Sequence, residues 1–385
     1  MRYLLVTLLV LAVAAPAAAA EPERTGLGDI PRTYSHYMNA REAALCRANA
    51  AVGGVWSYFT NPACAADIDG VGGFAALRLN SKEREYLPDG TEALEATDDV
   101  LLFTQAMAAK RSDFWVLGVG YSCPSHRRLE LSGRLSKDGE IKQYEGVFEG
   151  NLSFFEAIFA VRFGNREQGV FGISAGAVNA SESSKEIWPG ELNSADLSGL
   201  GYTVALGFTF DAADFLTFGL GHRWGSEIGL KGQWNQEDRR NETTVTQPTT
   251  VAGLRYRPLE WLTVHASYVQ EGWDRTRADL SAYLPNEDDP DYDGSRNEFD
   301  ESLGTIALGA EADFMDESVS VRAGFSQRIR GDFAEAIVPD TSIGVGGTYY
   351  FEAYLIDVGL TRERFEEGGE DGGMTNIGFH ASVGY

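Results

Sequence analysis

Past its first twenty residues the chain has no apolar run approaching the ~18 residues that carry a helix across a bilayer, so residues 21–385 hold no transmembrane helix. Helical periodicity is scarce beyond residue 60, although the length would suffice for two ordinary soluble domains. Positive charge is also short: 32 Lys and Arg stand against 57 Asp and Glu, for a formal net charge of −25. Phosphate would be repelled at every approach, which excludes nucleic acid as a partner. Cysteine is limited to Cys46, Cys64 and Cys123. In an oxidising compartment Cys46 and Cys64 could pair and leave Cys123 over; the alternative is buried thiols. Proline numbers only 12 and mean hydropathy is −0.22, while the chain holds 44 Gly, 21 Phe, 16 Tyr and 7 Trp. A slightly polar average with many aromatics fits strands that are apolar on one face only.

The first twenty residues read as a cleavable secretory signal. Met1 and Arg2 form a short basic start, residues 3–15 an apolar stretch, and Ala18 and Ala20 a small-residue cleavage pattern ahead of Glu21. A membrane anchor is the competing reading, but the apolar stretch is too short to span a ~30 Å hydrocarbon core as a helix. No Cys follows it, which excludes lipoprotein processing.

From Gly70 onward the pattern is alternation. In 202–210, Tyr202, Val204, Leu206, Phe208 and Phe210 share one face, and Thr203, Ala205, Gly207 and Thr209 the other. The pattern recurs in 214–224, 261–269 and 319–326. Repeated strands with an apolar outer and a small or polar inner face specify a transmembrane β-barrel. Fourteen strands are predicted, near 70–80, 99–110, 112–133, 143–164, 167–181, 199–211, 214–234, 243–257, 260–274, 302–315, 317–330, 341–352, 353–365 and 373–385. Several exceed the ~9–11 residues that cross a bilayer, so some project beyond it. The last strand alternates Ile377, Phe379, Ala381, Val383 and Tyr385 with smaller residues and stops on the aromatic. A terminal aromatic of this kind, with Phe379 behind it, resembles the signal read by the outer-membrane assembly machinery. An even strand count puts both ends of the barrel on the periplasmic side. The last strand must then pair with the first, leaving 21–68 as a plug inside or beneath a barrel of 69–385.

Three segments carry a resemblance. Residues 41–66 (REAALCRANAAVGGVWSYFTNPACAA) run from an alanine-rich stretch to Asn61, Pro62 and Ala63; 199–274 and 302–361 repeat a characteristic order of strands, including Pro339-Asp340 ahead of one of them. Together they resemble the long-chain fatty acid transporter family of outer-membrane proteins (FadL/TodX type). That resemblance implies fourteen strands, a small N-terminal hatch carrying the Asn-Pro-Ala motif, and passive passage of fatty acids or aromatic hydrocarbons. Such compounds would be held in the lumen and leave sideways at a kink in the third strand. Pro124 lies where that kink would fall, and a Pro inside a strand demands a bulge, kink or edge; an ordinary bulge without a passage role is the alternative.

No catalytic constellation is evident: the five histidines lack a Ser or Asp partner at a motif spacing, so no enzyme activity is expected, although barrel phospholipases exist. Inward parity collects Arg223, Arg255, Arg322 and His265, which could receive a fatty-acid carboxylate. These arginines could equally pair with inward acids such as Glu311 and Asp357. The stretch Asp289, Asp291, Asp293, Gly294 and Asp300 matches the opening of a calcium loop, D-x-D-x-D-G, though Arg296 and the lack of flanking helices oppose a structural calcium. No other cofactor is implied. Expected partners are outer-membrane lipid and lipopolysaccharide, the assembly machinery and a hydrophobic small molecule, around a monomer. No energy-coupling segment is evident, so transport would run downhill. A general porin or surface-binding barrel is the competing function; a porin would need no plug.

Overall fold

The computed structural model describes residues 38–86, 94–137, 140–164, 168–234, 238–272, 277–278, 297–298, 302–314, 318–330, 340–352, 354–365 and 374–385. A one-turn helix α1 (Ala40–Ala44) and two 3-10 turns, Gly54–Ser57 and Pro62–Asp67, come first. Six long strands follow: β1 (Val71–Tyr86), β2 (Leu94–Arg111), β3 (Trp115–Lys137), β4 (Glu140–Phe163), β5 (Gly169–Trp188) and β6 (Glu191–Ala213). Next are β7 (Leu216–Arg223), β8 (Glu227–Trp234), β9 (Asp238–Val245), β10 (Thr249–Leu259) and β11 (Leu262–Glu271). After the two-residue pair β12 (Arg277–Ala278) and β13 (Asn297–Glu298) the chain runs through β14 (Leu303–Phe314), β15 (Val319–Arg330), β16 (Thr341–Phe351), β17 (Tyr354–Phe365) and β18 (Met374–Gly384).

Neighbouring strands pair antiparallel throughout, and β1 pairs with β18 from Phe74↔Gly384 to Leu79↔Phe379, which closes the sheet. The closed wall has fourteen strands, β1–β7, β10, β11 and β14–β18, as the alternation predicts. The wall's outer face carries Phe208, Leu220, Leu308, Ile343 and Val383, all exposed. Thr203, Thr217, Ser267, Ser320 and Ser382 are buried on its inner face. This inversion, apolar outside and polar inside, is what a lipid solvent selects.

Short turns at 112–114, 214–215 and 260–261 gather at the end that holds both Val71 and Tyr385. Phe114, Trp115, Phe163, Phe210, Phe215, Trp261, Phe351, Tyr354 and Tyr385 are exposed there, an aromatic girdle of the kind that sits at a bilayer interface. The wall is uneven in height. Strands β2–β6 run to 18–24 residues while β14–β18 run to 11–12. About ten residues cross the bilayer, so the β2–β6 side rises well beyond it. Beyond the lipid both faces meet water and alternation fades, which is why the sequence places the upper ends of β1 and β5 short by several residues. The single strands predicted at 214–234 and 243–257 are each broken in two, at 224–226 and at 246–248, where Gly225 and Pro248 lie.

Residues 38–68 lie inside this wall and are almost entirely buried. Asn39 caps α1 by accepting from the Glu42 amide (2.9 Å), and the helix is tied to the wall where Ala40 N–H donates to Ser382 Oγ (3.0 Å). A turn with positive φ at Cys46 and Arg47 then reverses the chain. The hypothetical Cys46–Cys64 disulfide does not form: both are buried thiols in separate turns, and Cys64 Sγ is directed at Ala51 O (3.5 Å). Burial pushes the Cys64 thiol pKa well above its ordinary value. Cys123 is likewise a buried thiol, on β3.

Candidate functional site

The Asn61-Pro62-Ala63 motif seats the hatch. Asn61 Oδ1 accepts from Ala63 N–H (3.1 Å) and so caps the 3-10 turn that Pro62 begins. Its amide nitrogen donates backward to Ala51 O (2.6 Å) and outward to Phe208 O on β6 (3.2 Å). One side chain therefore fixes the turn, the hatch's own return and its register on the wall. The wall makes room with glycine: a Cβ at Gly207 would stand 2.8 Å from both Ala63 N and Pro62 Cδ, closer than real side chains approach.

The wall beside the hatch is interrupted. Strands β2 and β3 pair from Arg111↔Val116 up to Gln105↔Ser122, and again from Thr97↔Glu130 to Glu95↔Ser132. Between those rungs residues 98–104 and 123–129 have no partner across the seam. Pro124 stands at the lower end of this break, where β3 also slips register against β4 between Ser122 and Ser125. A missing N–H and a fixed φ make Pro a natural place for a ladder to fail. The lower sill is aromatic outside and polar inside. Phe103 and Tyr121 stack at 5.4 Å, with Phe155 beyond (5.1 Å). Cys123 Sγ donates to Asn151 Oδ1 (3.1 Å), which also accepts from Ser153 Oγ (3.1 Å).

Hatch side chains that the sequence did not single out hold this sill. Tyr58 Oη lies 2.8 Å from Tyr121 O, 3.0 Å from Ala106 O and 2.9 Å from Ser122 Oγ, donating to a carbonyl and accepting from the serine. Asn39 Nδ2 donates to Gln105 Oε1 (2.8 Å), and Thr104 Oγ1 donates to Met38 O (2.6 Å). No sequence signal marks Tyr58 or Asn39, because the hatch has no repeating pattern for a residue to stand out from.

The predicted cations fall into two groups. Arg223 gives Nη1 to Glu156 Oε1 and to Thr203 Oγ1 (2.7 Å each) and Nη2 to Phe59 O (2.6 Å), with the Phe59 ring 3.9 Å beneath it. Arg322 joins Glu311 (2.9 Å) and Asp357 (2.8 Å), the two acids named from parity; Arg41 of the hatch reaches Glu311 as well (2.6 Å). Both arginines are thus neutralised inside the wall. Arg255 is half-buried, donates to Thr217 Oγ1 (3.2 Å), and has no carboxylate within ion-pair distance among the described residues. His265 sits opposite it in register, buried, with no hydrogen-bond partner for either ring nitrogen among the described residues. Among the described residues no group of three His, Cys, Asp or Glu is placed to hold a metal. The acidic stretch of Asp289, Asp291, Asp293 and Asp300 and the Pro339-Asp340 approach, apart from Asp340, lie outside the described residues, as do residues 1–37.

No family model matches the chain, and no curated protein matches it. Solved structures do. The Pseudomonas putida toluene transporter TodX is 14% identical, with 92% of this chain and 98% of that one covered, at a TM-score of 0.61. The Ralstonia pickettii toluene transporter TbuX is 12% identical, with 92% and 98% covered, at 0.59. A Pseudomonas aeruginosa FadL homologue is 13% identical, with 92% and 99% covered, at 0.53. Across nearly its whole length the chain shares the fold of the FadL- and TodX-type barrels.

Proposed function

We propose that this chain is an outer-membrane channel through which hydrophobic compounds, long-chain fatty acids or aromatic hydrocarbons, pass down their gradient. They are taken up from outside, held in the lumen, and released sideways into the membrane between β2 and β3. The observation that carries this reading is the break beside Pro124 directly over a hatch that fills the lumen. A solute moving straight down meets packed side chains, whereas one moving sideways has no ladder of hydrogen bonds to break. The fold supports a hydrophobic cargo too, since similar structures are described as toluene transporters and as the CymD monoaromatic hydrocarbon channel. In this reading the leader is removed after Ala20, and the assembly machinery reads the strand ending at Tyr385. The barrel then stands as a monomer among outer-membrane lipid and lipopolysaccharide, and the loop bearing Asp289, Asp291, Asp293 and Asp300 loosely attracts divalent ions.

The test pairs a measurement on the purified barrel with one in cells. In planar bilayers the closed hatch gives little ion conductance, and in cells lacking other hydrophobic channels the barrel supports uptake of labelled palmitate or toluene. Large, steady conductance without hydrophobic uptake would overturn the reading in favour of a porin.

A further inference from the structure

The wall breaks a second time, on the other flank of the tall sheet β3–β6. Strand β6 pairs with β7 up to Ala205↔Arg223, adds one bond from Trp224 N–H to Val204 O (3.1 Å), and pairs again with β8 from Ser198↔Lys231 upward. Between these rungs, among the described residues, no backbone hydrogen bond joins 199–203 to 225–230. The hairpin itself is intact there: β7–β10 and β8–β9 keep one register, and Thr246 N–H donates to Ser226 O (2.9 Å) between them. The pair of strands therefore turns inward as a unit, at the level of Gly225 and Pro248, and parts from β6.

What closes the space is packing without pairing: the Gly229 carbonyl stands 2.4 Å from where a Cβ on Gly199 would be, and side chains fill the rest. Ile228 lies over the inner face of β6, where a Cβ on Gly201 would come within 2.7 Å of its Cγ1 and 3.0 Å of Ser226 Oγ. Ile228 and Leu230 are fully buried in an apolar cluster with Val178, Leu197 and Phe154. Outside the break, Leu200 and Tyr202 on one jamb and Trp224 on the other are exposed, at 64%, 77% and 45%. At ~3.3 Å per residue and the usual strand tilt, both breaks begin roughly 20–25 Å above the periplasmic turns, at the outer edge of a ~25 Å apolar band. The lower end of this stretch thus meets the outer edge of the membrane between exposed apolar side chains, and the stretch is held shut by packing rather than by a ladder.

We propose that it is a second lateral window, through which a membrane-dissolved apolar chain reaches the lumen by displacing Ile228. Its use in transport rests on the channel reading above; its existence does not. The test is photolabelling of the full barrel in dioleoylphosphatidylcholine vesicles containing palmitate with a diazirine at the chain end. Leu308, exposed on the outer face, gives the full signal, and Val269, buried against the hatch elsewhere, gives the background. Ile228 and Leu230 are expected at least fivefold above Val269. A disulfide between Gly201→Cys and Ser226→Cys should bring them down to the Val269 level, and reductant should restore them. Should that variant fail to fold, Leu200→Lys at the outer jamb should lower the same signal severalfold. Label at background in the unaltered chain, or label indifferent to the disulfide, would overturn the window. Labelled Ile228 without palmitate crossing into the vesicle sinks the channel and keeps the window; crossing with Ile228 at background does the reverse.

Discussion

Arg223 on β7 forks onto both oxygens of Glu156 on β4, at 2.7 and 3.1 Å, across a lumen face that also holds the Phe59 carbonyl of the hatch. Removing one partner of such a buried pair strands the other charge, at a cost of about 3–5 kcal/mol. Glu156→Gln should therefore lower the urea midpoint of the purified barrel markedly, while Glu156→Leu with Arg223→Met should recover much of the loss. Arg322→Ala, by stranding Asp357 while Glu311 keeps Arg41 (2.6 Å), should behave as Glu156→Gln does.

Among the parity-selected arginines, Arg255 has no described carboxylate within ion-pair distance, although its charge reaches Asp67 of the hatch. If it receives a fatty-acid headgroup, Arg255→Ala lowers palmitate uptake severalfold with the amount of folded barrel unchanged and toluene uptake intact. Equal uptake of both by the variant and the unaltered chain would remove it from the route.

Gly207→Val should unseat the hatch. The new side chain would occupy space taken by Pro62 and Ala63, and neither strand nor 3-10 turn can yield easily. The barrel should still form, because the seam between β1 and β18 lies elsewhere. The expected result is a rise in single-channel conductance and protease access to residues 50–66, against a closed parent.

The wall was readable in the sequence because lipid outside and water inside impose a period of two that any strand crossing them must show. Tyr202 to Phe210 displays it, and the structure exposes Tyr202, Val204, Phe208 and Phe210 while burying Thr203 and Ala205. The period disappears where the strands leave the membrane, so the upper part of β5 and the inward bend at Gly225 were not legible. That Pro124 would disturb β3 was legible, since a missing donor is a local property; it shows as a register slip between Ser122 and Ser125 within one continuous strand. That β2 loses its partners over 98–104 was not, because it depends on how two strands meet. The pairing of Arg322 with Glu311 and Asp357 followed from parity, whereas Arg223 with Glu156 did not, their strands being separated by two others.

Pro124→Val should narrow the β2–β3 break. A residue with an N–H and a strand-favouring side chain allows the ladder to extend from Gln105↔Ser122 upward. The variant should keep or gain thermal stability by gel-shift assay while hydrophobic uptake falls severalfold. Uptake unchanged alongside a ladder shown by hydrogen exchange to be extended would remove this break from the route.

Glu42 should make the hatch sensitive to pH. Its carboxylate is buried and accepts only the Met38 amide (3.0 Å) at one oxygen, the other having no hydrogen-bond partner among the described residues. Burial raises its pKa from 4.5 to about 7, against the opposing pull of the Met38 bond and Arg47. The seated hatch thus prefers the protonated acid, whereas a released hatch ionises near the ordinary value. Below pH 4.5 both forms are protonated and the group costs nothing. As pH climbs to 7 the released form gains an ionised carboxylate that the seated form lacks, and the hatch loosens; above 7 both are ionised and the cost is constant. At ~1.4 kcal/mol per tenfold, that plateau is about 3 kcal/mol. Hydrogen exchange of the 40–48 amides, corrected for its intrinsic pH dependence, should show protection dropping by up to about a hundredfold between pH 5 and pH 8. Glu42→Gln should flatten that dependence; a parent hatch equally protected at both pH values would show that the acid is not what loosens it.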